Sequence, residues 1–215
     1  MVAFEHQLRP NCNRFTSENL TRVFFSDNGS TSVEVALKMS AQYWQLKGQT
    51  RRTRFAYLKN AYHGETLGAL SVCGLGLFRQ KFGNLLLNHL EVLGPDCYYC
   101  PFEKNPETCS AECFESMEKA LHQNRQILAA VIVEPLVQGA AGMKMYPPIY
   151  LHKLQEVCDA LDIHLIFDEV AVGFGRTGSL FVCEQQGFHP TFLCLSKGIT
   201  SGYLSLAATL TEEKI

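Results

Sequence analysis

Short apolar runs alternate along this chain with segments of helical periodicity. The runs lie at residues 23–25, Arg54–Leu58, Leu128–Val133, 165–169 and 191–197. Runs of about five residues that stop at a polar side chain are typical of buried strands in a parallel sheet. Apolar positions three or four apart predict one helix between residue 30 and Lys47, and a second over residues 149–162. Strand then helix, repeated, predicts an α/β fold with a mostly parallel sheet flanked by helices.

The remaining segments give weaker patterns. We expect a strand and an exit turn over residues 90–96, a helix over 110–121 and a last strand over 203–210. A short helix is expected to start near Glu65. The Gly-rich segment 74–83 is predicted to be a flexible loop, and residues 1–17 an irregular amino-terminal segment.

Two predicted strands end in charged side chains that suit one cofactor. Asp168 and Glu169 close one strand, and Lys197 closes the next, 29 residues after Asp168. The carboxyl ends of parallel strands form the edge at which ligands bind. There, a lysine can hold pyridoxal phosphate (PLP) covalently while a carboxylate keeps its ring nitrogen protonated. An acid at a strand end is also common as a helix cap or ion-pair partner, so Asp168 alone does not indicate a cofactor site. Glu134 ends a third strand and precedes a loop that contains Gln138.

A polar turn between the first strand and the first helix predicts an anion site. Free backbone N–H groups and the positive end of a helix dipole meet there. Gly29 permits close approach of a phosphate, and the hydroxyls of Ser30 and Thr31 add donors. The alternative is that Ser30 or Thr31 only caps the helix.

Tyr62 and His63 lie in a loop that follows the second predicted strand. An aromatic ring at this edge of the sheet can stack on a planar cofactor. A loop tyrosine more commonly serves packing, and that alternative stays open on the sequence alone.

Composition narrows the class of protein. The chain has 215 residues, of which 47% are apolar and 19% charged, and its net charge is −2. These values predict a globular domain and give no basic stripe for nucleic acid. No apolar stretch has the length of a membrane span, and the amino terminus lacks the apolar core of a secretory signal.

Nine cysteines, an odd number, fit a reducing cytoplasm better than a disulfide framework. Cys97, Cys100, Cys109 and Cys113 have the spacing C-x2-C-x8-C-x3-C. Four neighbouring thiols could hold zinc. We favour a surface insertion without metal, because two prolines interrupt the segment and its second cysteine pair runs into a helical pattern.

Five blocks resemble, in order, the signatures of the class III aminotransferases of PLP fold type I. They are FFSDNGSTSVEVALKM, YHGET, VEPLVQGAAGM, DEVAVGFGRTG and LSKGITSGYLSLAATL. The resemblance implies that residues 18–215 are part of the PLP-binding large domain of such an enzyme. Full members are about twice as long, so we expect a fragment without the small domain.

The resemblance also implies roles for individual residues. Gly29 and Ser30 would hold the cofactor phosphate, and Tyr62 would stack on the ring with His63 beside it. Asp168 would pair with the ring nitrogen, Val170 would pack on the other ring face, and Lys197 would hold the cofactor covalently. Glu134 would lie near the substrate end. Lys197, Asp168 and Tyr62 are thus the predicted catalytic residues.

A narrower resemblance is to the family members that serve biotin biosynthesis. It implies transfer of an amino group from S-adenosylmethionine or lysine to 8-amino-7-oxononanoate, by a cytoplasmic homodimer with no nucleic acid or membrane partner. Two alternatives remain, another class III aminotransferase acting on ω-amino acids or diamines, and a truncated chain without activity.

Overall fold

A computed structural model describes residues 19–105 and 108–215. The segment predicted to be irregular, residues 1–17, lies outside the described residues. The strands are β1 (Leu20–Ser26), β2 (Arg54–Leu58), β3 (Leu90–Val92), β4 (Leu128–Val133), β5 (Val137–Gln138), β6 (Lys144–Met145), β7 (His164–Asp168), β8 (Phe192–Leu195) and β9 (Ala207–Glu212). The α-helices are α1 (Gly29–Leu46), α2 (Leu67–Ser71), α3 (Gly76–Arg79), α4 (Glu115–Asn124), α5 (Pro148–Leu161) and α6 (Val182–Gln186). Short 3₁₀ turns cover Gly83–Leu85, Glu112–Phe114 and Lys197–Ile199.

Seven strands form one twisted sheet in the order β1-β9-β8-β7-β4-β2-β3. The pairs β8–β7, β7–β4, β4–β2 and β2–β3 are parallel, whereas β9 runs antiparallel to both β8 and β1. β1 therefore points the same way as the parallel strands. The predicted α/β fold with a mostly parallel sheet is confirmed.

Each face of the sheet carries its own apolar core. On one face α1 buries Val33, Leu37 and Trp44 against strand residues such as Ile166 and Phe192. On the other face α4 and α5 bury a second cluster that includes Met117, Leu121, Leu151, Leu154 and Cys158. Both faces of the central strands are covered, which explains why β4 and β7 are buried at every position.

Three predicted segments have a different structure. The segment 110–121, predicted as one helix, contains the 3₁₀ turn Glu112–Phe114 and α4, which begins only at Glu115. Residues 74–83 contain α3 and the first residue of the 3₁₀ turn Gly83–Leu85 rather than a continuous loop. The last strand starts at Ala207 instead of residue 203. Tyr203 lies in a turn, where its backbone amide donates to the Thr200 carbonyl. In the described part of the chain, no helix combines the length and apolarity needed to cross a membrane.

Candidate active site

Five strands deliver their carboxyl ends to one edge of the sheet. Asp27, Glu134 and Ser196 follow directly on β1, β4 and β8, while Asp168 is the last residue of β7. The loop with Tyr62 follows β2. This edge borders a cavity of about 990 Å³, at the upper end of the roughly 300–1,000 Å³ typical of ligand sites.

Each of the eight site residues predicted from the sequence lines this cavity. They are Gly29, Ser30, Tyr62, His63, Glu134, Asp168, Val170 and Lys197. Residues from positions 29 to 197 are thus brought together by the parallel sheet, as the sequence analysis expected. Their chemical roles remain predictions.

The amino terminus of α1 opens into the cavity, and its cap leaves Ser30 available. The N-cap residue is Asn28, whose side chain accepts from the Thr31 amide at 3.1 Å, while Thr31 Oγ1 accepts from the Asn28 amide at 3.1 Å. The suggestion that Ser30 caps the helix is therefore wrong, although Thr31 does take part in the capping box. Because first-turn amides have no carbonyl partner within a helix, those of Gly29 and Ser30 suit an anion.

Two glycines allow an unusually close approach of chain segments at this end of the cavity. A Cβ atom on Gly29 would lie 2.7 Å from Cγ1 of Val170, and one on Gly64 would lie 2.2 Å from Oγ of Ser30. Gly64 also has a φ of +121°, which other residues rarely adopt. The cradle formed by the β1–α1 turn, Val170 and the Gly64 loop therefore depends on both glycines.

His63 and Asp168 form a buried pair at the base of the cavity. His63 Nδ1 lies 2.8 Å from Asp168 Oδ2, and Asp168 Oδ1 accepts from the Val170 amide at 3.1 Å. Both side chains are shielded from solvent. His63 Nε2 is buried and has no hydrogen-bond partner among the described residues. The sequence placed His63 only beside Tyr62 and missed its contact with Asp168.

Glu134 ties two loops of the site together. Its carboxylate accepts from the Tyr62 amide and from the Gly139 amide, each at 2.9 Å. Burial raises the pKa of Glu134 above its ordinary value, against the opposing influence of His63. A carboxyl group that accepts two backbone hydrogen bonds fixes the start of the Tyr62 loop.

Tyr62 is held at both its backbone and its ring. Its hydroxyl donates to Glu65 at 3.0 Å, and its ring lies 5.1 Å from that of Phe78. Burial, followed by the hydrogen bond to Glu65, raises the pKa of Tyr62 to about 12. The phenol is thus neutral at physiological pH.

Lys197 has a backbone that few lysines adopt. Its φ is +26°, and it begins the 3₁₀ turn that follows β8. Positive φ at a residue with a side chain costs on the order of 1–3 kcal/mol and is concentrated at functional sites. The side chain is exposed toward the cavity, where it is accessible to a ligand.

Glu169, the other half of the acidic pair, has a different environment. Its carboxylate accepts from the amides of Val182 and Cys183 at the start of α6. Burial raises its pKa to about 8. Asp168 therefore faces the cavity, whereas Glu169 holds α6 against the sheet, as alternation along an extended chain requires.

Three other charged residues line the cavity, Asp27, Glu65 and Arg176, and the sequence pattern assigned them no role. Arg176 lies in the GFGRTG block and is exposed. Its position in the loop after β7, the strand that ends in Asp168, is the signal that could have identified it.

The four clustered cysteines lie away from this site. Cys97, Cys100 and Cys109 line a second, more apolar cavity of about 570 Å³, and Cys113 packs against the core. Burial and the neighbouring thiols raise the pKa of Cys113 to about 11. Within residues 19–105 and 108–215, no three or more His, Cys, Asp or Glu side chains are arranged to bind a metal ion.

The residues of the cavity fit an anionic, planar, amine-reactive ligand such as PLP. The start of α1 and the two glycines would suit a phosphate. Asp168 supplies a buried carboxylate whose orientation His63 fixes, and Lys197 supplies the accessible amine.

Comparison with known proteins identifies the class. The class III aminotransferase family model matches residues 1–215, so the chain belongs to that family, which is PLP-dependent. A crystal structure of an amine transaminase from an uncultivated Pseudomonas species, in its PLP-bound form, has a TM-score of 0.89 and 41% identity, covering 98% of this chain and 47% of that one.

Within the family, the similarity extends to adenosylmethionine-8-amino-7-oxononanoate aminotransferases. The protein of that name from Nitratidesulfovibrio vulgaris is 50% identical over 198 residues, 91% of this chain and 36% of the relative. The one from Geobacter sulfurreducens is 46% identical over 197 residues, which are 91% of this chain and 44% of that relative. The crystal structure of the Methanocaldococcus jannaschii protein has a TM-score of 0.87 and 38% identity, covering 97% of this chain and 46% of that one. The chain thus spans less than half the length of these relatives.

Proposed function

We propose that the chain forms the PLP-binding part of an aminotransferase that converts 8-amino-7-oxononanoate to 7,8-diaminononanoate in biotin biosynthesis. S-adenosylmethionine or lysine would be the amino donor, and a cytoplasmic homodimer the working form. The observation that carries the proposal is the convergence of the eight predicted residues on one cavity. The names of the two relatives from Nitratidesulfovibrio vulgaris and Geobacter sulfurreducens support the choice of substrate.

The residues of the cavity have separate tasks in this proposal. Gly29, Ser30 and the start of α1 would bind the phosphate, and the ring would lie between Tyr62 and Val170. Lys197 would hold the cofactor covalently and move a proton at the substrate carbon. Asp168, oriented by His63, would keep the ring nitrogen protonated. Bound PLP would supply the electron sink for breaking a bond at that carbon.

Amine and ω-transaminase structures of comparable TM-score favour a second candidate. These include the Pseudomonas enzyme described above and a thermostable (S)-enantioselective ω-transaminase from Thermomicrobium roseum, which has a TM-score of 0.88 and 33% identity. Under this alternative the same cavity would accept an ω-amino acid or a diamine.

An amino-transfer assay distinguishes these functions. The purified chain is loaded with PLP and given 8-amino-7-oxononanoate with S-adenosylmethionine or lysine, or a keto acid with ω-amino acids or diamines, and products are identified by mass spectrometry. We expect any amino transfer, weak in this chain alone, to yield 7,8-diaminononanoate. Transfer from the amines without that product would favour the second candidate. Saturable PLP binding without turnover would limit this chain to the binding role.

A further inference from the structure

The segment with Tyr62 and His63 is fixed at its far end by α1. Tyr62 at the start of this segment is held by Glu134, as described above. Beyond it, the Glu65 amide donates to Ser30 Oγ at 3.2 Å. The amides of Gly68 and Ala69 donate to Oε1 of Glu34, at 2.7 and 3.2 Å.

Glu34 lies one helical turn after Ser30 on α1, so both side chains project from the same face of that helix. Glu34 supplies the hydrogen bonds that the short helix α2 does not receive from its own N-cap residue, since Thr66 makes no side-chain cap. A buried or half-buried amide that loses its acceptor is costly. Glu34 therefore stabilises α2 from a neighbouring element.

Gly68 is the residue that permits this contact. A Cβ atom on Gly68 would lie 2.2 Å from Oε2 of Glu34 and 2.7 Å from its Cδ. A side chain at position 68 would therefore push the carboxylate away from the amides. The φ of Gly68 is not in the left-handed region, so the need for glycine arises from the carboxylate rather than from the backbone.

We propose that Glu34 is a positioning residue that holds residues 62–69 in the conformation that receives the cofactor. Glu34 does not line the cavity and acts through this segment. Its two hydrogen bonds fix α2, and α2 in turn holds Gly64 and Glu65 against Ser30. The Tyr62 ring and the phosphate cradle are thereby kept next to each other. The part of this inference that concerns PLP rests on the proposed function. The contact between Glu34 and α2 rests on geometry alone.

The test compares Glu34→Ala with Glu34→Gln, which keeps an acceptor oxygen at the same place. Glu156→Ala, an exposed glutamate on α5, is the matched control. Hydrogen exchange of the protein without PLP is measured by mass spectrometry over residues 62–69, and the dissociation constant for PLP is measured by fluorescence titration. The free energy of unfolding without PLP is recorded for every variant.

In Glu34→Ala we expect faster exchange over residues 62–69 and PLP binding weakened about tenfold or more, since the loss of even one hydrogen bond to a charged group corresponds to about tenfold. Glu34→Gln should stay within about threefold of the original chain, because an amide oxygen still accepts. Glu156→Ala should change neither quantity. Gly68→Ala should reproduce Glu34→Ala, although the glutamate is retained.

Unchanged exchange in Glu34→Ala, or equal losses in the Gln and Ala variants, would overturn the positioning role. A loss of PLP affinity that Glu156→Ala shares would do the same, because it would report general destabilisation. Failure of the original chain to bind PLP would instead remove the proposed function. The role of Glu34 in PLP binding would then be excluded as well, and the hydrogen-exchange result would still test whether Glu34 holds residues 62–69.

Discussion

Replacing Gly29 with alanine should distort the phosphate cradle, because the added methyl group would clash with Val170. The added methyl would lie 2.7 Å from Cγ1 and 3.1 Å from Cγ2 of Val170. Carbon atoms prefer about 3.5–4.0 Å, so one partner must move by on the order of 1 Å. Overpacking of this kind costs roughly 1–3 kcal/mol, and we expect PLP affinity to fall by about five- to a hundredfold.

The clash has a single identified partner, which makes a double-mutant cycle informative. Val170→Ala removes both methyl groups that Gly29→Ala would meet, so the double variant should recover part of the loss. We expect a coupling free energy of about 0.5–3 kcal/mol. Gly83→Ala is the control, because a Cβ there has nothing within 4 Å.

The assay is urea unfolding with and without PLP, together with a PLP titration of each folded variant. The reasoning would be refuted if Gly29→Ala matched Gly83→Ala in both measurements. It would also fail if the effects of Gly29→Ala and Val170→Ala were simply additive, since the Cβ–methyl contact would then carry none of the cost.

Two further predictions concern the acidic pair. Asp168→Asn keeps the size of a side chain that contacts His63 but removes its charge. Turnover in an active assembly should therefore fall by about 10²-fold or more, while PLP still binds. Near-original turnover would exclude Asp168 from the ring-nitrogen role. Burial raises the folded-state pKa of Glu169 from 4.5 to about 8, so the folded chain keeps a proton that the unfolded chain releases between these values. The free energy of unfolding should therefore decrease as pH rises from 4.5 to 8, by up to ~1.4 kcal/mol per pH unit, and this decrease should be smaller in Glu169→Gln; parallel pH profiles would contradict the assignment.

Segments with strong local patterns were predictable from the sequence. The strands Arg54–Leu58 and Leu128–Val133 have the predicted bounds, and α1 ends at Leu46, one residue before the predicted stop. Residues 55–58 of the first strand and all of the second are continuous apolar runs, because the sheet is covered on both faces. Local periodicity carries enough information in such cases.

Segments whose conformation depends on distant partners were not predictable in this way. Tyr203 and Leu204 continue the apolar alternation of the last strand, yet they are exposed in a turn, because β9 pairs with β1 and β8 only from Ala207 onward. The helix predicted from residue 110 begins at Glu115, after Ala111 adopts a positive φ of 53°. In the last strand, pairing across the sheet overrides the local pattern.

The site shows the same division. Strand ends placed Asp168, Glu134 and Lys197 at one edge, since parallel strands share an edge. The contacts within and around the site, such as His63 with Asp168 and Glu34 with Gly68, join residues 105 and 34 positions apart. No periodicity encodes such pairs, so only the folded structure reveals them.

Covalent trapping tests the central claim most directly. The chain is incubated with PLP, treated with borohydride, digested and mapped by mass spectrometry, with Lys197→Ala as the paired sample. We expect the label on Lys197 and none in the variant. A label on another lysine, or equal labelling of the Lys197→Ala chain, would contradict the assignment of this cavity as the PLP site.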